Sequence, residues 1–282
     1  MILIRISNRE RGFTLIELLT ALGIFLLITG AAFTLLSSSQ QRYQTESQVL
    51  NSFQEARLGL DQMVRDINDA GFPPPTFISS DPTKVTSTPF AWSPGYPNNP
   101  CQIGTAGGGT CTTAMDFAPG DFDIIIETEP NPQDPACAPN CQVQWIRYQL
   151  QGTTLMRGMA PKVPGGNSDF AFTGQYAVVP FVQNVVNNSP NLQIGLYPLS
   201  VSSPTVFPGG NPVPIFQYTC ETPSAPQNPL PFCKDAGADN SPKNIRDVMI
   251  TLIVAAPLPD ATTGRPRLVQ LEGRGRRINP NQ

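Results

Sequence analysis

One carboxylate, Glu17, stands inside the otherwise uncharged run 13–36, FTLIELLTALGIFLLITGAAFTLL, and it is the residue most in need of a chemical explanation. An ionised acid within hydrocarbon is costly and needs a positive or hydrogen-bonding partner. Just upstream lie Arg5, Arg9, Glu10 and Arg11, followed by Gly12. A peptide cut after Gly12 would remove this charged leader and keep the apolar run. It would also leave a free amine on Phe13, one helical turn from Glu17. An ammonium on the same chain or a neighbour is the natural counter-ion, and pairing between chains favours assembly over an isolated subunit. An ordinary secretory signal places a shorter apolar core before its small-residue cleavage site. Here the small residue precedes the core.

The other reactive residue types point away from catalysis. The chain has no histidine, and it lacks HExxH and the glycine loop that cradles phosphates. Gly107, Gly108 and Gly109 read as a flexible loop. Asp116, Asp121 and Asp123 with Gly120 supply oxygen ligands of the kind calcium takes, but their spacing is not that of an EF-hand loop. They read equally well as acidic turn residues at a strand entry. Six cysteines fall into three neighbouring pairs, Cys101 with Cys111, Cys137 with Cys141 and Cys220 with Cys233, all in loop-like sequence. An even count in Pro/Gly-rich connections suggests disulfides formed in an oxidising compartment, with the connectivity open. Zinc is the rival, but Cys137 and Cys141 have no second knuckle and no histidine to complete a site. No catalytic residue, metal or cofactor is therefore expected. A net charge of −3 without a lysine cluster gives no electrostatic footprint for general nucleic-acid binding. The late run Arg274, Arg276, Arg277 reads as a solvated strand edge.

These residues need elements to hold them. At roughly 1.5 Å per residue the 13–36 run is long enough to cross a bilayer as a helix, with the upstream arginines on the cytoplasmic side. Helical spacing continues through Leu50, Phe53, Ala56, Leu60, Met63, Ile67 and Ala70, an apolar stripe with Arg57, Asp61 and Arg65 on other faces. Gly71 and Pro73 to Pro75 stop it. Charged residues make up 14% of the chain, against roughly 25% in ordinary domains. The 31 prolines and 23 glycines confine helix to the N-terminal part, so the remainder of the chain is expected to be strands and loops. Strand patterns fall at 123–128, 143–150, 154–157, 178–186, 192–199, 213–218, 247–254 and 268–278. Ile146, Tyr148 and Leu150 lie on one face of their strand, with Arg147 and Gln149 on the other. A hairpin is expected at Gln151 and Gly152. The expected fold class is α+β: a long N-terminal helix packed on an antiparallel sheet with long, disulfide-stapled loops.

Arg11, Gly12, Phe13, Thr14, Leu15, Ile16, Glu17, Leu18 and Leu19, read as RGFTLIELL, resemble the class III signal of the type IV pilin-like prepilins. The stretch QEARLGLDQMVRDINDAGF and the strand succession YQLQGTTLMRG, VVPFVQNV, IRDVMITLIVAAP are similar to PilW-type minor pilins and GspJ/PulJ-type pseudopilins. The resemblance implies a membrane peptidase that cuts after Gly12 and methylates Phe13, with Glu17 supporting docking between subunits. It implies a leader 1–12, a membrane and filament-core helix 13–36, an exposed amphipathic half 37–71 and an extracytoplasmic β-rich domain 72–282. The implied partners are the prepilin peptidase/methyltransferase, the inner membrane before assembly, and other pilins or pseudopilins in a filament. The implied roles are a minor pilin of a type IV pilus, a type II secretion pseudopilin, or a pilus-tip binding subunit presented by the same helix. Enzymatic activity is not expected.

Overall fold

The proline-free stretch after Thr14 forms one helix, α1 (Leu15–Asn68), in the computed structural model. The structure describes residues 12–74, 81–91, 119–130, 142–188, 193–194, 197–198, 206–208, 211–221, 230–234, 244–260 and 264–278. The chain divides into two compact units, Met1–Ser47 and Gln48–Gln282.

In the first unit the helix carries an 18-residue window of mean hydropathy 2.2, long and apolar enough to cross a membrane. None of that window is buried, and Leu19, Leu22, Phe25, Leu26 and Phe33 all project outward. Such a surface has no aqueous solution unless lipid or other helices cover it.

Among its described residues the second unit contains the C-terminal part of α1 and nine strands. They are β1 (Asp123–Thr128), β2 (Gln144–Gln151), β3 (Thr154–Pro161), β4 (Val179–Val182), β5 (Gln193–Ile194), β6 (Tyr197–Pro198), β7 (Phe216–Cys220), β8 (Ile245–Pro259) and β9 (Pro266–Arg276). They form a four-stranded sheet, β1-β2-β3-β4, a three-stranded sheet, β7-β8-β9, and the small β5-β6 pair, all antiparallel. The β2–β3 turn is closed by Gly152 and Thr153, with Gly152 at φ 59° where a side chain would be strained. Asn187 ties the two larger sheets together. Its amide donates to the carbonyls of Val213 and Thr251 and accepts from the Ile253 N–H at 2.8 Å.

Ala56, Leu60, Met63 and Ile67 of α1 enter one core with Ile124, Ile126, Ile146 and Tyr148 from the first sheet and Phe216, Val248, Ile250 and Leu252 from the second. Each of the larger side chains stabilises the unit by about 2 kcal/mol on burial. The stripe is shorter than its spacing suggested. Leu50 is exposed, because the helix is covered by sheet only from about Ala56 onward.

The outer face of β2 also differs from the expected polar surface. Arg147 is buried among Trp145, Phe172 and its carboxylate partners, since a segment with two 3₁₀ turns, Ser168–Ala171 and Gly174–Tyr176, covers that face. Gly158 permits the cover: a Cβ there would stand 2.9 Å from both Phe172 and Val178. The late arginine run is only partly a solvated edge. Arg274 and Arg276 are exposed, but Arg277 is buried, and burial holds its guanidinium below the usual arginine range.

Candidate functional site

Thr14 and Glu17 form a reciprocal pair at the start of α1. The Glu17 carboxylate accepts from the Thr14 backbone N–H at 3.0 Å and from its hydroxyl at 2.9 Å. The Glu17 N–H reaches back to the Thr14 oxygen at 3.4 Å, and the Leu18 N–H to the Thr14 carbonyl at 3.2 Å. This is a capping box: the first turn of a helix has N–H groups without partners and a positive dipole end, and a threonine followed three residues later by a glutamate supplies both acceptors and charge. With a peptide bond still present before Phe13, the acid in the apolar run is thus occupied by its own helix terminus. The pattern Thr-x-x-Glu was legible in the sequence as a cap, although sequence reasoning assigned Glu17 only to an ammonium. Gly12, Phe13 and Glu17 are all exposed, and a Cβ on Gly12 would meet nothing within 4 Å. The peptide after Gly12 is therefore open to another protein's active site. Arg11 and the leader before it lie outside the described residues.

The family model described as the prokaryotic N-terminal methylation motif matches residues 7–33, spanning Gly12, Phe13, Thr14 and Glu17. This match supports a type IV pilin-like, prepilin-type N-terminus for the chain. The motif implies processing by a prepilin peptidase and assembly with other pilin-like subunits, and together with the apolar helix it fits anchoring in a membrane. The long helix on antiparallel sheets is the α+β arrangement of such a pilin-like subunit. No curated protein and no solved structure matches the chain.

The second unit holds its part of α1 through a polar network that sequence reasoning missed. The Tyr148 hydroxyl donates to Asp66 at 2.6 Å, Arg157 donates to the same carboxylate at 3.0 Å and to the Tyr148 oxygen at 2.9 Å, and Gln62 donates to the other Asp66 oxygen at 2.7 Å. Arg157 also lies over the rings of Tyr148 and Phe181. Burial and the Asp66 charge push the Tyr148 hydroxyl far above the usual phenol range, so it stays a donor. The network fixes the rotation of α1 about its axis, because only one helix face presents Asp66. Its sequence signal was an acid within the apolar stripe, next to Met63 and Ile67.

A second buried pair, Lys162 and Glu127 at 3.1 Å, fastens the segment 81–91 to β1. Lys162 also donates to the Val85 carbonyl and the Ser87 hydroxyl, while Glu127 accepts from the Ser87 N–H and the Trp145 indole. Each ion is thereby fully hydrogen-bonded, as a buried charge requires.

Asp123 is not a cation ligand. Arg147 grips both its oxygens, at 3.0 and 2.6 Å, and Gln149 takes one of them at 2.8 Å, so neither faces outward. Asp121 is half-buried, and burial raises its carboxyl despite Lys234 nearby. Asp116 and the glycine run lie outside the described residues, among which no cluster of three metal-ligating side chains occurs. Cys220 and Cys233 are joined by a disulfide that clips the end of β7 to the segment pairing with Thr219. Cys101, Cys111, Cys137 and Cys141 lie outside the described residues.

Proposed function

We propose that this prepilin is a minor pilin-like structural subunit that is inserted in the inner membrane, cut after Gly12, methylated on Phe13, and incorporated at or near the tip of a type IV pilus. The observation that carries the reading is the match over 7–33 combined with an acid at Glu17 in an otherwise apolar, unburied helix. Once the leader is removed, the new ammonium of a neighbouring Phe13 competes with the Thr14 cap for Glu17. A charge-assisted bond in a water-poor surrounding is the stronger of the two, so processing converts a self-capped helix into one that seeks a second subunit. The Cys220–Cys233 disulfide supports placing the second unit outside the cytoplasm. In this reading the protein carries out no catalysis, and its long loops decorate or present a surface.

The test is intact-mass and N-terminal analysis of the chain recovered from sheared surface pili. A mature chain beginning at methylated Phe13 in that fraction supports the proposal, and a retained leader sinks it. Recovery of the same processed chain only from a periplasmic filament of a type II secretion system would instead assign it as a GspJ-type pseudopilin. Retention of a ligand by pili carrying the subunit, and loss of that retention without it, would make it a binding subunit.

A further inference from the structure

The edges of the two larger sheets are protected, with one exception. The outer side of β1 is covered by residues 89–91, through the bonds from the Ala91 N–H to Ile125 and from the Glu127 N–H to Pro89. The outer side of β7 is covered by residues 231–233, through Cys220 to Pro231 and Cys233 to Tyr218. The edge strand β4 is four residues long and contains Pro180, and the adjacent Gln183 N–H is taken by Glu55 at 2.9 Å. Short edges, prolines and covers are the usual protections against strand addition.

Among the described residues, strand β9 has none of these along most of its eleven residues. The Thr251, Ile253 and Ala255 N–H groups of β8 point away from it, to Ile215, Asn187 and Asn184. The intervening pairs, Ile250 with Gly273, Leu252 with Leu271 and Val254 with Val269, therefore exchange the bonds between β8 and β9. Alternation then turns the N–H and C=O groups of Leu268, Gln270, Glu272 and Arg274 outward, and their N–H groups have no partner among the described residues. The next outward group, the Arg276 N–H, is already taken by Asn68 of α1 at 2.8 Å, which shows the edge forming a bond where something lies beside it.

We propose that the outer edge of β9 from Leu268 to Arg274 docks an extended segment of a different neighbouring subunit by strand addition. A row of outward backbone donors and acceptors is met in full only by another extended backbone. Arg267, Arg274 and Arg276 are each more than half exposed but are ion-paired with Asp260 or Asp247, and Glu272 is the one acid in the strand, so the backbone and not net charge selects what docks here. A second copy is a poor occupant, because pairing β9 with β9 uses one edge twice and closes a two-fold dimer that cannot extend. The inference rests on the filament reading above.

Hydrogen–deuterium exchange, read by fragmentation mass spectrometry, compares the full processed chain in detergent with the same chain in purified filaments. In filaments the amides of Gln270 and Glu272 exchange at least about 100-fold more slowly. Equal exchange in the two samples overturns the proposal while leaving the filament reading intact, whereas absence of the methylated Phe13 chain from filaments overturns both. Gln270→Pro removes an outward N–H without taking a bond from β8, so it lowers incorporation by about tenfold or more, whereas Gln270→Ala does not. Incorporation of Gln270→Pro at the level of the unsubstituted chain, with Ile250 and Leu252 still protected, also overturns the proposal. If that variant loses protection at Ile250 and Leu252, the exchange comparison on the unsubstituted chain decides.

Discussion

Glu17 has two possible partners that exist at different stages of the chain's life. Before processing its carboxylate accepts from Thr14, and after processing the amine of a neighbouring chain outcompetes that cap. Glu17→Val should therefore insert into the membrane and be cut normally, yet enter filaments at a small fraction of the usual level. Quantifying the subunit in membrane and filament fractions checks this, and unchanged incorporation rejects the role. Asp66 is the residue whose removal should most disturb the second unit, because Arg157 and the Tyr148 hydroxyl both depend on it. Asp66→Ala should cost about 3 kcal/mol, read as a lower urea midpoint. Three residues on, Asp69 has the opposite character. Burial and the neighbouring Asp66 charge raise its carboxyl above the usual aspartate range, with Arg65 opposing weakly. The folded state therefore holds that proton longer than the unfolded chain does, and this contribution to stability falls as pH rises through the window between the two values. Asp69→Asn should raise the melting temperature near neutral pH. The advantage should shrink as pH falls through that window, where the native carboxyl also becomes neutral.

At the scale of elements, the close approach of α1 to β9 depends on two glycines. A Cβ at Gly273 would meet Leu60 at 2.8 Å, and one at Gly275 would meet Ile67 at 2.5 Å. Gly275→Val should push the helix off the strand and destabilise the second unit by about 1–3 kcal/mol, measured by chemical unfolding. The Cys220–Cys233 clip closes a loop of sequence separation 13, so Cys233→Ser should cost about 2–3 kcal/mol on the same measurement. Much of this architecture was legible in advance. The helix ends within two residues of where Gly71 and the prolines stop its pattern, and β1, β2, β8 and β9 fall where alternation placed them. Those signals are local, and the main misreadings were tertiary. Arg147 was placed only on the face opposite Ile146, because nothing in its own strand announces that Phe172 will fold over it. Arg277 looked like its exposed neighbours because one step along a strand changes the face. The site was legible to a similar degree: Gly12, Phe13 and Glu17 are adjacent in sequence, whereas Asp66, Tyr148 and Arg157 meet only through the packing of α1 on β2 and β3. The pattern 178–186 gave only the four-residue β4, since the turn at Asn184, with φ 58°, cuts it short.

The whole molecule joins two units with opposite demands on their surroundings. The first keeps its large apolar side chains outward and has no core of its own, so it needs lipid or other helices. The second, Gln48–Gln282, buries a core around the end of α1 and two smaller clusters of its own. Helix formation alone does not hold a short isolated segment in water, but the residues of α1 beyond Gln48 are supported by Met63, Ile67 and the Asp66 network within their own unit. A fragment beginning at Gln48 should therefore fold in detergent-free buffer and unfold in one cooperative transition. It should retain the Cys220–Cys233 disulfide and be absent from filaments when supplied outside the cytoplasm. The full chain under the same conditions should require detergent for solubility. Circular dichroism melts and sedimentation of both forms check the contrast: an unfolded or aggregated fragment would show that the second unit depends on the membrane half, and entry of the fragment into filaments would remove the apolar helix from its place in assembly.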